Sequence, residues 1–140
     1  MQAANENKAD SRRSIWPKLI TLIFILLIGA LVVSLLPRSF SQDTSIIGKG
    51  VNVVVLVYDP NLVQSGETIT AMNEVRDEYE GHLEFIVASI NTPSGETFID
   101  AHGVRPSALL FFAASGERLQ ILYSPQDGKS LRINLDAVFK

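Results

Sequence analysis

The chain has 140 residues, a net charge of −3 and no cysteine. The absence of thiols excludes disulfide bonds, thiolate catalysis and zinc or iron–sulfur centres held by cysteine. The basic residues are scattered: Arg12 and Arg13 form the only basic run, and aromatic residues do not interleave with them. This pattern argues against nucleic acid as a partner. The length suffices for one membrane segment and one small domain.

The first third of the chain contains one long apolar segment. Residues 1–14 are polar and are predicted to form a short cytoplasmic tail. Residues 15–37 are predicted to form a transmembrane helix, because Leu19–Leu36 carries no charge and is long enough to cross the hydrocarbon layer. Trp16 lies where an interfacial aromatic anchor belongs.

The charges that flank this segment predict its orientation. Four basic residues precede it and two follow closely. The positive-inside rule therefore predicts a single-pass protein with a cytoplasmic N-terminus and a C-terminal domain on the outer, periplasmic side. A cleaved signal peptide stays an alternative, with a possible cleavage site at Ser39-Phe40-Ser41. A buried helix of a soluble protein is disfavoured, because the segment has no polar face.

A linker is predicted over residues 38–49, followed by a domain over residues 50–140. The domain begins with Val51–Tyr58, a β-branched run typical of a strand buried on both faces. Asp59 and Pro60 then predict a helix N-cap followed by proline at the first helical position, and Ser65 could cap a second start. Apolar residues at helical spacing predict an amphipathic helix that ends at Gly81.

The remaining elements alternate in type. The pattern predicts a strand over 83–90, a short helix over 96–102, a strand over 108–113, an antiparallel strand over 118–123 and a final helix over 130–139. The long helical crossover between the first two strands predicts that they are parallel. The fold class is therefore α/β, with the order β-α-β-α-β-β-α and a mixed four-stranded sheet.

This order and the local sequence resemble the thioredoxin-like fold family. The stretch from Val75 to Phe85 is similar to the helix-to-strand passage of that family. Gly103-Val104-Arg105, then Leu109–Phe112 and Gly116-Glu117, resemble the segment around its cis-proline and β-hairpin. The resemblance covers about ninety residues and implies a minimal thioredoxin-like domain.

The departures from the family concern its working groups. By the resemblance, Leu62 and Ser65 stand at the two cysteines of the redox motif, and Leu56 stands at a buried carboxylate that moves protons. Ala108 falls on the cis-proline, although a shift of two residues would place Pro106 there. Thiol–disulfide exchange needs a thiolate attacker and a resolving thiol, so the resemblance implies a degenerate, redox-inactive member.

No other group of residues predicts catalysis. His82 and His102 are isolated from each other and from a third metal ligand, and both lie where helix ends favour histidine. Glu96 and Asp100 are one turn apart on a solvated helix face, and Ser65 lacks a histidine partner and a nucleophile elbow. We therefore predict no enzyme activity, no metal site and no cofactor.

The family's peptide groove predicts a protein-binding surface instead. In this chain it would comprise the turn after the first strand and the loop before the third: Tyr58, Asn61, Leu62, Val63, Arg105, Pro106 and Ser107. Tyrosine, arginine and exposed aliphatic side chains favour protein contacts. The alternative is that Leu62 and Val63 pack inward and have no binding role.

These observations predict a membrane-tethered, redox-inactive thioredoxin-like binding module. It would act as an accessory or assembly subunit of a membrane protein complex, or hold a client protein, with residues 15–37 in the lipid bilayer and no small-molecule substrate. Two alternatives are an enzyme or chaperone related to thiol–disulfide oxidoreductases, and a structural spacer whose functional part is the helix.

Overall fold

The computed structural model describes residues 15–36, 38–123 and 125–140. The predicted tail over 1–14 lies outside these residues. The chain divides into two compact units, Met1–Arg38 and Ser39–Lys140, which are described in turn.

The first unit contains helix α1, Trp16–Leu35. All of its side chains are exposed. Its two hydroxyl side chains bond within the helix, since Thr21 donates to the Pro17 carbonyl and Ser34 to the Ala30 carbonyl. Helix α1 is long and apolar enough to cross a membrane, and hydroxyls satisfied by the helix's own backbone suit such a setting.

The second unit contains a four-stranded sheet and three helices. Its elements are β1 (Asn52–Tyr58), α2 (Val63–Val75), β2 (Leu83–Ser89), α3 (Pro93–His102), β3 (Leu109–Phe112), β4 (Arg118–Leu122) and α4 (Gly128–Phe139). The strand order is β2-β1-β3-β4. Strand β1 pairs in parallel with β2 and antiparallel with β3, and β3 pairs antiparallel with β4. The predicted order and the mixed sheet are confirmed.

Strand β1 lies at the centre because its side chains are apolar on both sides. Val53, Val55 and Val57 pack in a cluster with α3, while Val54 and Leu56 pack in a second cluster with α2 and α4. All five side chains are fully buried. Alternation along a strand sends successive side chains to opposite faces, so an unbroken apolar run requires helices on both.

Helix α2 begins between the two starts that the sequence offers, after Asp59-Pro60 and before a start capped by Ser65. It starts at Val63, and neither Asp59 nor Ser65 is its N-cap. The Asp59 carboxylate instead accepts hydrogen bonds from the backbone and side chain of Asn61, so it stabilises the turn and not the helix. The helix also ends earlier, at Val75, and a 3₁₀ turn over Arg76–Tyr79 completes the passage to β2.

Helix α3 begins at Pro93, three residues before the predicted start at Glu96, because the Thr92 hydroxyl accepts from the Gly95 N–H and caps it. Helix α4 begins at Gly128, two residues before the predicted Ser130. There the Asp127 side chain accepts from the Ser130 N–H.

Residues 40–48, termed the strap, are folded against the sheet, whereas the sequence predicts a loose linker there. The Phe40 ring lies 6.4 Å from the Phe85 ring, on the α2 and α4 side. Ser41 bridges the outer edge of β2, where its carbonyl accepts from the Val87 N–H at 2.9 Å. Ile46 and Ile47 pack into the cluster on the α3 side. The compact unit therefore includes this segment and begins at Ser39.

The strap ends in a close backbone contact with the β3–β4 turn. Gly48 and Gly116 both have positive φ, and a Cβ built on Gly116 would lie 3.0 Å from the Gly48 Cα. Gly50 has nearly the same φ as Gly116, 89° against 90°, but its Cβ would meet nothing within 4 Å. Alanine substitutions at Gly50 and Gly116 can therefore be compared. The first measures the cost of a side chain at positive φ, and the second adds the cost of the contact with Gly48.

We expect Gly116→Ala to destabilise the compact unit more than Gly50→Ala. Each change places a side chain at positive φ, which costs about 1–2 kcal/mol, and Gly116→Ala must also displace the strap. Thermal unfolding of the full chain in detergent, followed by circular dichroism, gives both values. Equal losses of stability for the two changes would show that the strap does not pack closely against the β3–β4 turn.

Helix α4 is fixed by polar side chains to the 3₁₀ turn that follows α2. The Tyr79 hydroxyl donates to Asp136 at 2.6 Å, and Lys140 pairs with the same carboxylate at 2.8 Å. Arg132 pairs with Glu78 at 2.7 Å. Burial of the ring, reinforced by the Asp136 hydrogen bond, raises the pKa of Tyr79 to about 12. The hydrogen bonds from Lys140 and Tyr79 lower the pKa of Asp136.

The raised pKa of Tyr79 predicts a loss of stability at high pH. A group whose pKa is higher in the folded state stabilises the fold below its unfolded pKa, here about 10, and this stabilisation disappears as pH rises toward about 12. The tyrosinate absorbance of the wild-type chain minus that of Tyr79→Phe should show one transition with a midpoint near pH 12. A midpoint near 10 would contradict the described environment of Tyr79.

Candidate functional site

The turn after β1 and the loop before β3 are joined by two buried serine side chains. The Ser65 and Ser107 hydroxyl oxygens lie 2.6 Å apart and share a hydrogen bond. The Ser65 hydroxyl also accepts from the Asp59 N–H at 3.2 Å. Ser65 is fully buried and Ser107 nearly so. We call this pair the serine bridge; it connects the first turn of α2 to residues that lead into β3.

The backbone at Ser107 is constrained further. Its N–H donates to the Val57 carbonyl at 2.7 Å, and the Val57 N–H donates to the Ala108 carbonyl at 2.9 Å. Ser107 has φ of 68° and is the one non-glycine residue with positive φ in the described part of the chain. A left-handed conformation is costly for such a residue and persists where the surroundings enforce it. The hydrogen bonds to Val57 and Ser65 supply that enforcement.

The peptide bonds around this loop are all trans. No cis peptide bond occurs within residues 15–36, 38–123 and 125–140. Pro106 and Ala108, the two residues considered for the cis-proline position, therefore both follow trans bonds.

The turn after β1 presents apolar side chains to solvent. Leu62 is 36% exposed and Val63 is 77% exposed, because Val63 is the first residue of α2 and lies outside its packed face. Asn61 is also exposed and bonds back to Asp59, while Tyr58 is half-buried against the α2 and α4 cluster. The alternative in which Leu62 and Val63 pack inward does not match these exposures.

The loop before β3 contributes a cation and a proline. Arg105 and Pro106 are exposed. The Arg105 guanidinium carbon lies 4.7 Å from the centre of the Tyr123 ring, and Tyr123 is 45% exposed. This contact is a cation–π interaction. Of the seven predicted groove residues, the structure thus leaves five exposed, while Ser107 is buried and Tyr58 is half-buried.

Sequence reasoning missed the serine bridge and Tyr123. The local sequence favours a helix cap for Ser65, and its pairing with Ser107 spans 42 residues, which no local pattern shows. Tyr123 follows β4, which neighbours β3 in the sheet. The predicted β3–β4 hairpin could have placed Tyr123 beside the start of β3, where Arg105 lies.

Within residues 15–36, 38–123 and 125–140, no titratable side chain is hydrogen-bonded to either serine of the bridge. Among the described residues, the Ser65 hydroxyl meets only the Asp59 amide and Ser107. The His102 ring packs 4.4 Å from the Phe98 ring and 5.3 Å from the Phe112 ring. Burial there, with a smaller effect of the Arg118 charge, lowers the pKa of His102. Glu96 and Asp100 are exposed, as a solvated helix face predicts.

Within the described residues, no group of three or more histidine, aspartate or glutamate side chains could hold a metal ion.

The fold defined by these elements is a thioredoxin-like α/β fold, with an apolar helix ahead of it. The structure is similar to that of oxidized thioredoxin O2 from Arabidopsis thaliana, with a TM-score of 0.58 and 15% sequence identity, over 69% of this chain and 85% of that one. At this identity the likeness concerns the fold. No protein-family model matches the chain, and no curated protein matches it. The absence of cysteine fits a degenerate member of this fold class.

We expect the two serines of the bridge to be energetically coupled. Ser65→Ala leaves the Ser107 hydroxyl buried without its partner and should cost about 1–3 kcal/mol. Ser107→Ala should cost a similar amount, and the double variant should cost less than the sum of the two, since neither hydroxyl is then stranded. Denaturant unfolding of the four chains measures the coupling, with the exposed Ser94→Ala as control. Additive losses would show that the bridge contributes nothing as a pair.

Proposed function

We propose that this chain is a membrane-tethered, redox-inactive thioredoxin-like module that binds another protein, as an accessory or assembly subunit of a membrane protein complex. The binding surface comprises Leu62 and Val63 together with Arg105, Pro106 and Tyr123, and is termed the apolar shelf. Helix α1 anchors the module in the bilayer, with the N-terminus in the cytoplasm and the compact unit on the outer, periplasmic side.

The observation that carries this proposal is the exposure of Leu62 and Val63 beside a rigidly fixed loop junction. Large aliphatic side chains on a surface are common singly, but here two adjacent ones lie on the first turn of a helix whose start is tied to the β3 loop by the serine bridge. A pre-organised surface loses little conformational entropy on binding. Arginine and tyrosine are enriched in protein interfaces. Here Arg105, in the loop before β3, stacks on Tyr123, which follows β4.

The orientation is supported by the basic residues that precede α1. The lack of redox activity is supported by the lack of any cysteine, because a serine hydroxyl at Ser65 cannot take part in thiol–disulfide exchange. An enzyme of the thiol–disulfide class would have to act through thiols of another protein. Turnover by the purified chain in a disulfide-reduction assay would favour that enzyme over the binding module.

We expect the double change Leu62→Asp and Val63→Asp to weaken partner binding by several-fold to hundred-fold without unfolding the chain. The reason is that the two carboxylates would have to be desolvated in any apolar contact. Ile133→Asp is the matched control, because Ile133 is 60% exposed and lies on α4, which contributes no residue to the shelf. The measurement is quantitative co-purification of partners with tagged full-length chain from gently solubilised membranes.

Equal recovery of partners by all three chains would overturn the shelf as the binding surface and would favour the spacer, in which α1 is the functional part. Equal loss with the shelf variant and with Ile133→Asp would also overturn it, since the effect would then not be specific to the shelf. Thermal unfolding of each chain shows whether the compact unit is intact.

A further inference from the structure

The apolar shelf contains one charged side chain, the guanidinium of Arg105. It lies over the Tyr123 ring, with the guanidinium carbon 4.7 Å from the ring centre. Within residues 15–36, 38–123 and 125–140, this guanidinium makes no hydrogen bond or ion pair. Arg105 is exposed, and Tyr123 is 45% exposed. An arginine has five N–H donors, and those of Arg105 are therefore accessible to an acceptor from another molecule.

Carboxylates elsewhere in the compact unit are already engaged by groups of the chain itself. The Glu78 carboxylate pairs with Arg132 at 2.7 Å. The Asp59 carboxylate, in the turn beside the shelf, accepts hydrogen bonds from the backbone and side chain of Asn61. The chain has 15 acidic residues against 12 basic ones, so a cation without a carboxylate is not explained by a shortage of acidic side chains. The charge of Arg105 is thus left for a partner.

The serine bridge limits the distance between this cation and the exposed aliphatic side chains. The Leu62 carbonyl accepts from the Ser65 N–H at 3.1 Å, and the Arg105 carbonyl accepts from the N–H of residue 108 at 3.2 Å. Leu62 and Arg105 therefore both lie within one turn of the bridge, whose hydroxyl oxygens are 2.6 Å apart. Their Cα atoms cannot be separated by more than about 22 Å, which an extended segment of about seven residues spans.

We infer that the protein segment bound by the apolar shelf carries an aspartate or glutamate side chain within about seven residues of a large apolar side chain, and that Arg105 binds this carboxylate. This inference rests on the proposed function and names the chemistry of its partner. A guanidinium can bind a carboxylate through two parallel N–H···O bonds. The Tyr123 ring restricts Arg105 before binding, which lowers the entropy cost of the contact. Leu62 and Val63 supply the apolar part.

The test selects binding peptides on the full-length chain in nanodiscs of phosphatidylcholine. Random peptides of about 12 residues, long enough to reach both sides of the shelf, are displayed on phage without a free C-terminus. Three variants are used in parallel: Arg105→Glu, Lys129→Glu and the shelf double variant, Leu62→Asp with Val63→Asp. Lys129→Glu is the matched control, because it makes the same change of charge at an exposed position on α4. Thermal unfolding checks that each compact unit is intact.

We expect peptides selected on the wild-type chain and on Lys129→Glu to be enriched in aspartate or glutamate near leucine, isoleucine or phenylalanine. Peptides selected on Arg105→Glu should instead be enriched in lysine or arginine near the same apolar residues, because the charge of the shelf is reversed. In a selected acidic peptide, replacing the carboxylate by its amide should weaken binding to the wild-type chain about tenfold. The same replacement should not weaken binding to Arg105→Glu. Fluorescence anisotropy measures both affinities.

Failure of this inference can be distinguished from failure of the proposed function. Peptides that bind the wild-type chain but not the shelf double variant, without any preference for acidic residues, would overturn the inference and leave the shelf as a binding surface. An equal acidic preference with Arg105→Glu would also overturn it, since the carboxylate would then bind elsewhere. Absence of any enrichment over the shelf double variant would overturn the shelf itself, and this inference with it.

Discussion

The burial of β1 on both faces is the constraint on which the rest of the compact unit depends. Five consecutive side chains, Val53–Val57, have no exposure to solvent. Full burial of each valine or leucine is worth about 1.5–3 kcal/mol relative to exposure, so a helix layer on each side is a large part of the stability. The turn at Asp59 follows β1, and the loop at Ser107 leads into its antiparallel neighbour β3. The turn and the loop therefore meet at one edge of the sheet.

The serine bridge fixes the geometry of this edge by a hydrogen bond between two side chains. Two hydroxyls 2.6 Å apart share one hydrogen bond, and both residues are buried. They cannot form a disulfide or take part in thiol–disulfide exchange, because exchange requires a thiolate. Ser65 thus has a structural role that differs from the helix cap expected for it. The left-handed backbone of Ser107 is held by the hydrogen bonds that this residue makes with Val57 and Ser65.

The parts of the fold that were predictable depend on local or periodic signals. The β-branched run of β1 identified its burial, and the long helical crossover identified the parallel pairing with β2. Helix starts were less accurate, since Asp59-Pro60 has the composition of a cap, yet the Asp59 carboxylate is occupied by Asn61. At the site, the exposure of Leu62 and Val63 was one of two alternatives. The serine bridge was not predicted, because its two residues are far apart in sequence and neither has a distinctive local pattern.

The strap was missed for the same reason, because its contacts are with residues that lie far away in the sequence. Ser41 pairs with the outer edge of β2, and an uncovered strand edge is a template for unwanted pairing with other chains. Removing Phe40 and Ser41 from the sheet would leave the outer edge of β2 without this bridge and would expose the apolar surface around the Phe85 ring. The strap therefore belongs to the fold of the compact unit, because it covers apolar surface on both sides of the sheet and pairs with part of its edge.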